Sequence, residues 1–145
     1  MMGEELFEAL TDIAKKLTIS VLLDFQSYTP SKQNETKATY CKKITKKDGE
    51  ISFYNAQEIY NKYRAFTPWP GIYLESGLKL KKIKLEDSSS SYDSGKILSV
   101  DKDSIVVSCK RGSLRIFTVQ PFSKKEMDVL SYINGKRITV EDNFS

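Results

Sequence analysis

The chain is 145 residues long, which suits one domain, or a small domain with an appendage, that buries about two-thirds of its unfolded surface. Lys and Arg number 23 against 19 Asp and Glu, for a net charge of +4, less basic than a dedicated nucleic-acid binder usually is. With no histidine anywhere, a His general base, a His metal ligand and a Ser-His-Asp triad are all excluded from these residues.

Other broad classes fall as quickly. No run approaches the roughly 18 apolar residues of a membrane span, and no basic-then-apolar leader opens the sequence. Cys41 and Cys109 lie far apart without a CxxC, which argues against a disulfide framework or zinc site and fits reduced thiols in a cytoplasmic protein. Charge is distributed in blocks. Residues 1–30 carry net −3, residues 31–55 net +3, residues 56–85 net +4, residues 86–105 net −3 and residues 106–145 net +3. A fold could gather the three positive blocks on one face, or they could be ordinary solvated lysines.

In chain order, residues 4–26 read as an amphipathic helix, with Leu6, Leu10, Ile13, Leu17 and Val21 at spacings of three and four and Lys15 and Lys16 off that stripe. Pro30 closes it, and the polar stretch Ser31 to Thr39 reads as a linker. Such a stripe needs a surface, either from the downstream domain or from an upstream one. A second helix is expected from an Asn55 cap with Glu58 three residues on. Tyr54 can staple to Ile59, and Ala56, Ile59, Tyr60, Tyr63 and Phe66 form the inner face. Pro68 ends this helix, and Trp69 follows between two prolines.

Strands are expected next, at Ile72–Leu74, Leu78–Leu85, Gly95–Val100, Ser104–Cys109 and Ser113–Val119. The apolar parity of Leu78–Leu85 switches between Leu80 and Ile83, which predicts a bulge near Lys81 or Lys82. The serine run in Glu86–Ser94 reads as a mobile loop, and Lys110-Arg111-Gly112 as a tight turn with Gly112 at positive φ. A last helix is predicted from a Ser123 cap, with Glu126 completing a capping box and Phe122 stapling to Met127. Met127, Leu130 and Ile133 face inward, and Asn134-Gly135 stops it. The fold class is mainly β with accessory helices: a small closed barrel, preceded by an amphipathic helix and a linker.

Little here assembles chemistry. There is no phosphate-binding Gly-rich loop, no HExxH and no carboxylate pair in an apolar setting. Lys124 and Lys125, at the start of the predicted last helix, oppose its dipole unless an anion is held there, so they read either as a phosphate contact or as tolerated surface lysines. Lys79, Lys81, Lys82 and Lys84 form a strip able to track a phosphate backbone, or a solvated outer strand face. Arg64 taken alone is a helix-end cation. Of the aromatics, only Tyr28, Tyr73 and Tyr92 look free to stack on bases, and nothing groups them.

Several blocks nevertheless resemble the carboxy-terminal part of the methionyl-tRNA formyltransferase family. They are Thr39-Tyr40-Cys41-Lys42-Lys43-Ile44, Glu50-Ile51-Ser52-Phe53, the specific Arg64-Ala65-Phe66-Thr67-Pro68-Trp69-Pro70-Gly71, Leu78-Lys79-Leu80, Ser113-Leu114, and Val119-Gln120-Pro121 through Lys124-Lys125-Glu126-Met127. The resemblance covers nearly the whole chain and departs at Ser123, where the family usually has Gly, and at Phe53, where it often has Trp. It implies an OB-like carboxy-terminal barrel that gives a basic, largely sequence-independent surface to initiator tRNA through phosphate contacts. Carried over by motif position, Lys43, Arg64, Lys79, Lys124 and Lys125 would be tRNA-binding residues, and Lys81 on the same strand is counted with them.

The resemblance further implies that residues 1–30 are a helix left over from the catalytic domain, residues 31–52 a linker and residues 53–145 the barrel. The family's catalytic Asn, His and Asp would then lie upstream, and with them the pocket for the formyl donor 10-formyltetrahydrofolate. This chain would be an inactive monomeric module without cofactor, whose partners are tRNA and the catalytic domain. Two alternatives stand beside it: the matching domain of a sugar-nucleotide formyltransferase, and an assembly domain docking through its first helix.

Overall fold

The computed structural model describes residues 1–144, which divide into two compact units, Met1–Ile44 and the residues from Thr45 on. In the first unit, α1 spans Gly3–Leu23, with Glu4 and Glu5 in its first turn and the Glu5 carboxylate accepting from the Met2 amide at 2.7 Å. The helix stops three residues short of the expected end, and a 3-10 turn, Phe25–Ser27, follows. No residue of α1 is buried, and Leu6, Leu10, Ile13 and Leu17 are all exposed. Within the expected linker, Glu35–Lys37 forms a second 3-10 turn because the Asn34 side chain accepts from the Thr36 amide at 3.0 Å.

The second unit begins inside the 31–52 stretch, with a 3-10 turn at Lys46–Gly49. It holds α2 (Ala56–Phe66), β1 (Ile72–Tyr73), β2 (Lys79–Ser91), β3 (Ile97–Val100), β4 (Ile105–Ser108), β5 (Arg111–Gln120), β6 (Met127–Asp128) and α3 (Val129–Lys136). This is the expected mainly β class with helices, all six strands belonging to one antiparallel sheet ordered β1-β2-β5-β4-β3, with β6 also paired to β5. Isolated bridges from Glu50 to Tyr73 and from Lys96 to Asn143 extend the sheet's two sides. The core is one cluster that includes Ile72, Ile97, Ile105, Leu114, Ile116, Val119, Val129 and Phe144. Burial of each such side chain contributes roughly 1.5–3 kcal/mol.

Local signals explain much of this. The Asn55 side chain accepts from the Gln57 and Glu58 amides at 3.1 and 3.4 Å, capping α2 as expected. Ala56 and Ile59 are buried, while Tyr60, Tyr63 and Phe66 pack on the core from its margin. The bulge in β2 is present: its register against β5 shifts on both sides of Lys82. Gly112 sits at φ +79° as expected, but as the second residue of β5, just past the turn from β4, and the Cys109 amide closes that turn by donating to its carbonyl at 2.8 Å.

Three expectations are corrected. The serine run is strand as far as Ser91, because Asp87 pairs with Ser113 and Ser91 with Arg111 across β5. The Asp87 carboxylate also accepts from the Ser89 and Ser90 amides at 3.1 and 2.9 Å, satisfying donors that the irregular register leaves free. The last helix starts at Val129, not after Ser123: its cap is Asp128, which accepts from the Ser131 amide at 2.8 Å. Met127 is thereby a β6 residue opposite Val119, and Phe122 is exposed instead of stapled. Finally, α3 runs past Asn134-Gly135 to Lys136 and ends on Arg137 in the left-handed region, where the Ile138 amide closes back on the Ile133 carbonyl at 2.9 Å.

Candidate functional site

The bulge sorts the β2 lysines into two groups. Lys82 and Lys84 end up on one face, their ammoniums 5.4 and 5.6 Å from the centre of the same Phe117 ring on β5, close enough for cation–π attraction. Lys81 turns elsewhere and pairs with Glu126 at 3.7 Å, a half-exposed surface contact worth about 1 kcal/mol or less. Lys79 and Lys81 together line a small cleft with Thr67, Pro68 and Pro70, the segment that follows α2. Two lysine pairs are therefore carried by one strand.

The sheet beneath them is tied by Arg115 of β5. Its guanidinium grips Glu86 of β2 bidentately at 2.8 and 2.7 Å, and a third nitrogen reaches both Asp101 and the Ser104 hydroxyl. The bonds to Arg115 hold the Glu86 carboxyl below its usual range. This contact joins β2 to the β3–β4 turn across β5, fixing the strand that carries the lysines.

Beside Lys79 the chain turns between β5 and β6. Ser123, in that turn, adopts φ +57°, so it occupies the left-handed backbone region instead of capping a helix. Lys124 and Lys125 are exposed in the turn, and no helix dipole bears on them. The Gln120 amide side chain holds the turn by donating to the Lys124 carbonyl at 3.0 Å. Facing Lys79 from the other side is the 3-10 turn of Lys46 and Lys47. Thr45 donates its amide and hydroxyl to the Asp48 carboxylate at 2.7 and 2.8 Å, bonds that lower the Asp48 pKa. The Tyr73 hydroxyl donates to the Lys46 carbonyl at 3.2 Å, and the Lys62 ammonium to the Asp48 and Glu50 carbonyls at 3.2 and 3.3 Å.

The sequence-based residues are thus partly collected. Lys79, Lys81, Lys124 and Lys125 lie on β2 and the neighbouring β5–β6 turn. Arg64 is held by its own helix, donating to Asn61 Oδ1 at 2.7 Å with its guanidinium 5.3 Å from the Tyr60 ring centre. Its buried Nε has no hydrogen-bond partner. Lys43 lies in the first unit and is exposed. Lys46 and Lys47 carry no signal in the sequence, since a Lys-Lys-Asp-Gly run looks like any solvated turn, and Lys136 looks like an ordinary helix-end cation. Cys109 is buried, which pushes its thiol up to about 12, and Cys41 is exposed. Among the described residues no cluster of His, Cys, Asp and Glu has the arrangement of a metal site, and no helix is long and apolar enough to cross a membrane.

Comparison with known proteins puts this arrangement in context. The family described as formyl transferase, C-terminal domain matches residues 43–137. A methionyl-tRNA formyltransferase of Sulfurimonas denitrificans is 58% identical over 99% of this chain and 48% of its own length. One from Nitratiruptor is 50% identical over 96% of this chain and 46% of its own, and one from Campylobacter jejuni 48% identical over 97% and 47%. The chain spans about half the length of these curated relatives. Among solved structures, HypX from Aquifex aeolicus in complex with tetrahydrofolic acid aligns with a TM-score of 0.59 at 14% identity, over 89% of this chain and 24% of that one. That likeness is one of fold.

Proposed function

The chain belongs to the formyl transferase C-terminal domain family, and on that premise we propose that it is the tRNA-binding part of a methionyl-tRNA formyltransferase. The observation that carries the reading is the lysine-bearing β2 strand with its flanking turns, in a chain similar over nearly its whole length to proteins of that name. Formyl transfer from 10-formyltetrahydrofolate to methionyl initiator tRNA is, in this reading, the work of the part of those relatives that this chain does not span. The present residues bind, and the bond-making groups are elsewhere.

The physical mode is phosphate contact. Lysines on a strand rigidified by Arg115 present point charges at fixed positions, which suits them to phosphate contacts that position RNA without reading its sequence. Lys43, Arg64, Lys79, Lys81, Lys124 and Lys125 are assigned to this task. Lys124 and Lys125 act through their own ammoniums and not through a helix terminus. The test is a titration of the chain with initiator tRNA at several salt concentrations. Release of counterions by even two phosphate contacts lowers affinity at least about tenfold between about 50 and about 300 mM salt. Affinity that stays flat over that range overturns the proposal.

A further inference from the structure

Phe122 is more exposed than the other large apolar side chains described in the second unit, Trp69 and Tyr54 included. It is 75% exposed at the tip of the β5–β6 turn, although burying such a ring is among the most favourable moves a small domain can make. It is not loose. Gly77, at φ +80°, leaves the space in which the ring is seated: a methyl group added there would lie 3.2 Å from ring Cδ2 and 3.3 Å from Cβ of Phe122. The backbone beneath the ring is fixed by the Gln120 bond to the Lys124 carbonyl at 3.0 Å.

This ring divides two clefts. On one side a cleft of about 570 Å³ is lined by Lys46, Lys47, Tyr73 and Lys79; on the other a cleft of about 470 Å³ is lined by Lys124, Lys136 and Ser131. Both share Pro121 and Phe122 as their common wall. Cations on both sides of an exposed, seated aromatic form the pattern that single-stranded nucleic acid needs. The backbone tracks the charges, and a base, freed of its pairing partner, lies on the ring. A base inside a double helix cannot use the ring, because both of its faces are already stacked on its neighbours.

We propose that Phe122 is a stacking platform for one unpaired base of an RNA strand, with Lys46, Lys47 and Lys79 holding the phosphate on one side of that base and Lys124 and Lys136 the phosphate on the other. The inference rests on the tRNA-binding reading and sharpens it: the surface takes a junction between duplex and single strand, not duplex alone.

The test uses the full 145-residue chain and two RNA probes, a blunt two-stranded duplex without a loop and the same duplex with a single-stranded tail of about four nucleotides. The tail is expected to strengthen binding about tenfold, within the range that stacking on an aromatic supplies. Phe122→Leu keeps apolar bulk without a π face and is expected to abolish that gain, leaving the two probes bound alike; Phe122→Tyr is expected to keep it. A tail that adds nothing, or a Phe122→Leu variant that keeps the tail's gain, overturns the inference while salt-dependent binding of the blunt duplex leaves the tRNA reading standing. Failure of the unaltered chain to bind either probe overturns both.

Discussion

Ser123 carries the main lesson at the residue scale. Ser-x-x-Glu ahead of apolar residues is a capping signature, and Ser123 to Glu126 satisfies it. The turn it belongs to answers instead to pairing between β5 and β6, where Thr118 meets Asp128 and Val119 meets Met127, so the helix is delayed until Asp128 can cap it. Asn55 shows the opposite case: its signature was legible because cap, helix and core face agree over the same few residues. Holding a Ser at φ +57° costs about 1 kcal/mol that glycine avoids. Ser123→Gly is therefore expected to raise unfolding free energy by about 0.5–1 kcal/mol in urea titrations, and no gain would mean the Ser hydroxyl has a compensating role. Ser108 is the reverse. It is fully buried, its hydroxyl accepts from the Lys96 amide at 2.9 Å and donates to the Asp93 carbonyl, and it is the stitch between β4 and the segment ahead of β3. Ser108→Ala leaves those groups unpaired and is expected to cost about 1–3 kcal/mol; a loss below about 0.5 kcal/mol would show that the backbone bonds suffice.

At the scale of elements, β2 decides the most. Its bulge could be read from the switch in apolar parity, because which face a side chain takes is a local property. Its length could not. Ser88 to Ser91 have no hydrophobic alternation, and what keeps them in the sheet is distant in sequence: β5 opposite, and Asp87 beneath. That carboxylate is one of two pH-sensitive groups on the strand, with Glu86. Hydrogen bonds from Ser90 and Ser89 lower Asp87 to about 2, and Arg115 lowers Glu86. Both groups bind protons more readily unfolded than folded, so their contribution is complete above the ordinary carboxyl range and is lost as pH falls toward about 2 for Asp87. Stability is expected to fall between about pH 4 and pH 2, and Asp87→Asn to flatten that slope in acid-titration melts. An unchanged slope would place the acid sensitivity in other carboxylates.

For the molecule as a whole, the balance of charge is the relevant quantity. Residues 1–44 hold six basic and six acidic side chains, so the entire net charge of +4 resides in residues 45–145. Every buried hydrophobic residue, from Ile51 to Phe144, lies there as well. The sequence blocks pointed to this concentration of charge, yet which lysines share a cleft depended on strand register and turn geometry that no block reveals. Lys46 and Lys47 meet Lys79 only because Tyr73 and Lys62 pin their turn from afar in sequence. A chain of residues 45–145 is accordingly expected to unfold in one cooperative transition, as a unit with its own core does. It is also expected to bind tRNA with a salt slope close to that of the full chain. Of the assigned residues only Lys43 is lost by the cut, and one phosphate contact changes the logarithmic slope by about one. A slope reduced by much more would mean that the first unit supplies phosphate contacts of its own, and the assignment of binding to β2 and its flanking turns would fail.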